Sequence, residues 1–136
     1  KMEAAELKSV LEQHALWLKS GQAGGQDGKR ADCTGQDLRG ADLVGRDLRH
    51  ADFREADLSN CKLDRAVLSG CNLTGTLLRN VSMRGADLEG ADLSNADLRM
   101  ADLMGAQLQG ADFWRTNLNG CRISPENLHS VLRCRH

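Results

Sequence analysis

Aspartate, cysteine and histidine are the residue types through which this chain could carry chemistry, and their spacing limits what they do. Aspartate recurs every five residues from Asp32 to Asp57 and again from Asp87 to Asp102. Two carboxylates held side by side can act as a general acid and a general base. Here the carboxylates follow a fixed period instead of forming one local pair. We therefore interpret them as part of a structural repeat and not as catalytic acids.

The five cysteines and four histidines predict neither a metal centre nor a nucleophile. No CxxC pair occurs, and no Cys/His cluster has the spacing of a zinc site. His14 is expected to be a packed core histidine, and His50 occupies a turn position. No P-loop or dinucleotide-binding glycine pattern is present. We therefore expect a protein that is not an enzyme and holds no cofactor or metal.

The dominant pattern has a period of five residues. Every fifth residue from Cys33 to Ile123 is apolar, and a small residue, most often alanine, precedes most of them by two positions, with Gln36 and Arg46 as exceptions. The fifth position of each unit favours glycine and asparagine, which tolerate a positive φ. This period suits neither an α-helix nor a β-strand. It predicts a chain that bends at each unit and winds into a solenoid whose stacked coils bury the apolar residues.

The run from Ala86 to Leu98, ADLEGADLSNADL, resembles the A(D/N)LXX unit of the pentapeptide repeat family. The resemblance implies an all-β solenoid, a right-handed quadrilateral β-helix with four units per coil. The nineteen units from Ala31 to Pro125 would then form about 4.75 coils, with roughly 4.8 Å between coils. An N-terminal α-helical cap and a short C-terminal helix complete the expected fold.

We divide the chain into four parts. Residues 1–20 form an amphipathic capping helix with Trp17 beside its apolar face, and 21–30 form a glycine-rich connector. The β-helix covers 31–125, and 126–136 form a helical tail. The run Ser124-Pro125-Glu126, at the junction of these two parts, is typical of a helix start. The tail either closes the last coil or forms a homodimer contact, as in some members of the family. The protein is therefore expected to be a monomer or a dimer through its C-terminal end.

The second position of the unit, which the resemblance places outward, changes in the middle of the tract. Five consecutive units lack aspartate there, and 61–85 contain one acidic residue, Asp64, against four basic ones. We define these basic residues with two apolar ones as the belt, a candidate partner-binding surface: Lys62, Arg65, Val67, Leu77, Arg79 and Arg84. The alternative is that surface positions drift freely while the core is kept.

A second candidate surface lies near the C-terminal end. It consists of Met100, Met104, Trp114, Leu128 and Leu132. Tryptophan and methionine are enriched at protein interfaces. The alternative is that Trp114 packs beneath the C-terminal helix.

These patterns favour a non-catalytic protein-binding or scaffold module whose partner is an unidentified protein. The alternative, implied by the resemblance, is a DNA-mimicking modulator of a type II topoisomerase such as gyrase. A formal net charge of −1 and a basic belt argue against such a mimic. Direct binding of nucleic acid is disfavoured by the balanced charge and the lack of aromatic platforms. No membrane-spanning run is present, and an odd number of cysteines without a framework predicts reduced thiols in the cytoplasm.

Overall fold

The computed structural model describes residues 1–21 and 27–133. Helix α1 covers Ala4–Lys19 and helix α2 covers Pro125–Arg133. The repeat tract lies between the helices. Most of the expected connector, 22–26, lies outside the described residues, as do the last three residues of the expected tail.

The repeat tract winds with a period of twenty residues. Parallel bridges join each second-position residue to the residue twenty positions later, from Asp32↔Asp52 to Asp102↔Arg122. Each bridge is one residue long, so the tract contains single bridged residues and no extended strands. Four five-residue units therefore make one coil with four sides. We number the sides by the units that begin them, each side recurring every twenty residues: side 1 at 31–35, side 2 at 36–40, side 3 at 41–45 and side 4 at 46–50.

Three backbone hydrogen bonds per unit connect successive coils. The large-site N–H of Leu73 donates to the carbonyl of Asp92 in the next coil at 2.7 Å. The N–H of Asp92 donates back to the carbonyl of Cys71 at 3.0 Å. The fifth-position N–H of Gly75 donates to Ser94 at 2.9 Å. The same pattern repeats along the rod, so backbone groups between coils are paired without continuous strands.

A tight turn bends the chain after each unit. At one such turn, the N–H of Thr76 donates to the carbonyl of Leu73 at 3.1 Å. The fifth-position residue has a positive φ in every unit from Gly35 to Gly120, as a type II turn requires. Eight of these residues are not glycine, and each carries a left-handed conformation that costs about 1 kcal/mol or more unless asparagine eases it.

The interior is the predicted ladder of aliphatic side chains. The large-site leucines from Leu38 to Leu103 are at most 2% exposed, and the alanines beside them are mostly as well buried. Burial of one such leucine contributes about 1.5–3 kcal/mol before entropy is subtracted. The ladder loosens at the last coil, where Leu118 and Ile123 are half-buried.

Polar side chains at the small site also lie inside. The Thr76 hydroxyl donates to the Phe53 carbonyl at 2.9 Å. The Cys71 thiol makes the equivalent contact with Leu48 at 2.9 Å. Burial raises the pKa of Cys71 to about 12, so this thiol stays protonated and donates. The repeat cysteines therefore fill a structural position, and Cys33, Cys61, Cys71 and Cys121 are all free thiols.

Each helix covers one end of the rod. On α1, His14 is 1% exposed and contacts two parts of the first coil: its Nδ1 accepts the Ala31 N–H at 2.9 Å, and its Nε2 lies 2.9 Å from the Arg49 carbonyl oxygen. At the other end, the Ser124 hydroxyl accepts the Asn127 N–H at 3.2 Å and caps α2. Val131 of α2 is 2% exposed and closes part of the core.

Candidate protein-binding surface

The recurring aspartates support the turns that follow them. In all eleven second-position aspartates, Oδ1 accepts the backbone N–H two residues later, at 2.9 to 3.3 Å. Asn72 and Asn117 accept in the same way. These contacts are Asx turns, which hold the chain as it enters each corner. The aspartate period is therefore a demand of the fold.

In the belt, some second-position residues cannot support the following turn as aspartate does. The side chains of Lys62, Val67 and Leu77 carry no oxygen that could accept a turn N–H. In the next unit of side 3, Asp64 of the preceding coil takes over, since its Oδ1 accepts the Ser82 hydroxyl at 2.5 Å and the Arg84 N–H at 3.0 Å. Three belt units thus lack an interaction that most of the tract keeps, and among the described hydrogen bonds Gln107 and Arg122 near the C-terminal end also lack it.

The structure distributes the belt over three sides of the rod. Lys62, Arg65 and Arg84 belong to side 3, Leu77 and Arg79 to side 2, and Val67 to side 4. Side 1 contributes none of these residues. The belt is therefore a curved surface around side 3.

Two of the four basic side chains in the belt are engaged by the next coil. Arg79 Nε lies 2.6 Å from Asp97 Oδ2, and Arg84 Nη1 lies 2.9 Å from Asp102 Oδ2. The hydrogen bond from Arg99, with that from Arg79, holds the pKa of Asp97 well below its usual range. Within the part of the chain that the structure describes, the ion pairs include neither Lys62 nor Arg65.

The two apolar belt residues are half-buried, whereas the sequence interpretation took them as exposed. Val67 bridges Asp47 and Asp87 of the adjoining coils, and Leu77 bridges two aspartates in the same way. Ladder neighbours on both sides therefore cover part of each side chain. The accessible part of the belt therefore consists more of the Lys62 and Arg65 side chains than of the two apolar residues.

The C-terminal candidate residues, except Met104, are exposed, and they do not form one patch. Met100 is 62% exposed at the corner that follows side 2, Met104 is half-buried on side 3, and Trp114 is 42% exposed on the opposite side 1. Arg115 lies over the Trp114 ring, 5.3 Å from its centroid. Leu128 and Leu132 project from α2 and are also exposed.

Sequence reasoning did not predict that His14 contacts two backbone groups of the first coil. It also did not predict that Asp64 accepts the turn N–H of Arg84 in the next coil. The apolar face of α1 signalled burial of the histidine, but not which backbone groups it meets. Residue spacing across coils could have flagged Asp64, because a carboxylate at the fourth position lies eighteen residues before Ser82.

Other kinds of site were sought over the same described ranges. No group of three or more histidine, cysteine and acidic residues there could hold a metal ion. Neither described helix has the length and apolar character needed to cross a membrane.

Comparison with known proteins identifies the five-residue repeat. A family model described as pentapeptide repeats matches residues 29–65, 61–99 and 101–124, with eight copies. No curated protein sequence matches the chain.

Several solved structures are similar to this chain. A pentapeptide repeat protein from Nostoc PCC 7120 is 31% identical, with a TM-score of 0.50, over 90% of this chain and 93% of that one. A pentapeptide repeat protein from the thylakoid lumen of Arabidopsis thaliana is 27% identical, with a TM-score of 0.48, over 75% of this chain and 78% of that one. Members of this family fold as right-handed quadrilateral β-helices and are generally structural or binding modules without catalysis. The chain belongs to the pentapeptide repeat family.

Proposed function

We propose that this protein is a non-catalytic protein-binding or scaffold module, and that the belt contacts its partner. The carrying observation is that Lys62, Val67 and Leu77 replace aspartates that elsewhere support the turns. A fold that needs only its core and turns gives no reason for this change. The free cations Lys62 and Arg65 lie where the change begins, so the partner surface is expected to be acidic.

Only the free cations should be reversed to test the belt. Arg79 and Arg84 pair with aspartates of the next coil, so changing them would disturb the rod itself. The informative variant is Lys62→Glu with Arg65→Glu. Its matched control is Lys19→Glu with Lys29→Glu, which changes the net charge equally at two exposed positions at the N-terminal end.

The measurement is capture of partners from the native host by each variant, after thermal unfolding confirms that both are folded. We expect the belt variant to lose a partner that the wild type and the control variant retain. Retention of every partner by the belt variant would refute the proposal. Loss of the same partner by both variants would show that net charge, and not this surface, matters.

The other details are part of the same proposal. We propose a rod of about 4.75 coils with the part boundaries given above, located in the cytoplasm. The half-buried Leu118 and Ile123 at the last coil, with the exposed Leu132 of α2, support a homodimer through this end as the alternative to a monomer. Sedimentation of the wild type and of Leu132→Glu distinguishes the two states.

The topoisomerase alternative receives less support from the charge distribution. A DNA mimic needs a continuous negative surface, but several aspartates here face arginines. Arg39, Arg49, Arg54 and Arg99 each pair with the aspartate two residues earlier, at 2.7 to 2.8 Å. We therefore expect no effect of the protein on gyrase supercoiling, and inhibition at micromolar concentration would favour the alternative.

A further inference from the structure

The first coil has an edge that faces away from the rest of the rod. In the interior coils, the groups that point in this direction are the N–H and carbonyl of the second position and the carbonyl of the fourth position. On the first coil these groups have no preceding coil, so the capping segment must supply their partners. An edge of this kind accepts any chain segment that presents the complementary backbone groups.

The capping segment reproduces part of the missing coil. On side 2, the N–H of Met2 donates to the Asp37 carbonyl at 2.9 Å, as a large-site residue would. The Lys1 ammonium contacts the Arg39 carbonyl. On side 4, His14 contacts the Arg49 carbonyl. An extended segment thus already pairs with this edge at one side.

Side 3 lacks such a partner, and so do the second positions of sides 1 and 4, since no described hydrogen bond involves the backbone of Asp32 or Asp47. Among the hydrogen bonds of the described residues, none involves the Asp42 N–H or its carbonyl. A cavity of about 440 Å³ opens beside this residue, between α1 and the first coil. Leu7, Leu11 and Leu38 provide apolar parts of its lining. The cavity therefore combines an unpaired backbone edge with an apolar wall.

The charged groups around this cavity are mostly basic. Lys8 and Arg46 line it, and neither forms an ion pair with another described residue. Arg39 also lines it but is paired with Asp37 at 2.7 Å. Asp42 is the acidic residue in the lining, and its Oδ1 accepts the Val44 N–H. Two free cations therefore favour an occupant with carboxylates.

We propose that this cavity binds an extended acidic peptide, which adds one rung above side 3. The register follows from the coils below, where Leu63 donates to the Ser82 carbonyl and the Ser82 N–H donates to the Cys61 carbonyl. By the same geometry, a large apolar residue of the peptide donates its N–H to the Asp42 carbonyl. A small residue two positions earlier accepts the Asp42 N–H through its own carbonyl.

The peptide side chains then match the walls of the cavity. The large apolar side chain enters among Leu7, Leu11 and Leu38, and flanking carboxylates face Lys8 and Arg46. This binding mode does not depend on the belt, which lies on later coils. Each site can therefore be tested without the other.

The experiment uses a fluorescein-labelled peptide, Glu-Ala-Glu-Leu-Glu amide, and the same peptide with an N-methyl group on the leucine nitrogen. Anisotropy titrations measure their affinities for the full chain. N-methylation removes the N–H that donates to the Asp42 carbonyl. We therefore expect about tenfold weaker binding, which corresponds to the loss of one backbone hydrogen bond. Amide NMR shifts caused by the unmodified peptide should centre on residues 38–46.

Variants test the charged wall. Lys8→Glu with Arg46→Glu should weaken binding at least tenfold, whereas Arg115→Glu with Arg122→Glu should leave it unchanged. Equal affinities for the two peptides, NMR shifts centred elsewhere or no binding at millimolar concentration would each overturn the proposal. NMR shifts caused by sodium decanoate at residues 38–46, without binding of the peptide, would overturn it as well, because they would show an acyl site without strand pairing.

Discussion

Protonation of His14 should loosen the N-terminal cap. Its Nδ1 accepts the Ala31 N–H, so the single proton of the neutral ring is assigned to Nε2, which donates to the Arg49 carbonyl. A second proton would occupy Nδ1 and leave two donors facing each other. Burial lowers the pKa of His14, and the Arg49 hydrogen bond and Asp47 only partly oppose this effect.

The sign of the pH dependence follows from this lowered pKa. Between its ordinary value of 6.5 and its lower folded value, the unfolded chain binds more protons at this position than the folded chain does. The free energy of unfolding is therefore highest above pH 6.5 and falls as the pH decreases through this window. The slope from one such group reaches at most about 1.4 kcal/mol per pH unit.

Substitution of His14 measures how much its contacts contribute to the free energy of unfolding at neutral pH. His14→Ala leaves the Ala31 N–H and the Arg49 carbonyl without their partner and removes a ring that stacks on Trp17 at a centroid distance of 5.4 Å. Each buried group left unpaired costs about 1–3 kcal/mol. We expect a loss of about 2–4 kcal/mol, reduced where water reaches the exposed edge.

The assay compares urea unfolding of the wild type and His14→Gln at pH 7.5 and pH 5.5. Glutamine can hydrogen-bond but does not titrate, so the other histidines contribute equally to both proteins. We expect the wild type to lose about 1 kcal/mol more than the variant on acidification, with faster amide exchange throughout α1. Identical pH dependence in the two proteins would refute the assigned hydrogen bonds.

Two further predictions test the turns. Asp92→Ala should lower the free energy of unfolding by about 1 kcal/mol, because the Ser94 N–H loses its acceptor at 2.9 Å, and Asp92→Asn should restore most of it; equal loss in both variants would contradict the turn role. Gly70→Ala should cost slightly more than Gly90→Ala although both have a similar positive φ, because at Gly70 a Cβ would displace the exposed His50 imidazole, whereas at Gly90 it would meet no neighbour. Urea unfolding measures the difference, which should vanish in a His50→Gly background.

The rod itself could be predicted from the sequence because its interior repeats with the period of the backbone. A leucine every five residues, with glycine or asparagine two positions later, specifies both what is buried and where the chain turns. Even the exceptions follow this rule, since His50 and Met100 adopt the positive φ of the glycines they replace. Backbone geometry there overrides residue preference because the neighbouring coils enforce the turn.

Contacts between coils could not be predicted in the same way. Arg79 pairs with Asp97, eighteen residues away, and its own unit, 76–80, contains no acidic residue. Arg99 pairs with the same carboxylate from two residues away. Which partner a long side chain selects depends on the coil register and on its conformation, and neither follows from a five-residue pattern. The same reason hid the role of Asp64.

To identify a binding surface on a repeat protein, the charged residues that the repeat itself requires must first be set aside. The aspartates are set aside because they support turns, and Arg79 and Arg84 are set aside because adjoining coils hold them. Lys62 and Arg65 remain, since no described contact of the fold uses their charge. The outer charge that the rod leaves unpaired is a narrower and more testable indication of a binding surface than the total charge of the region.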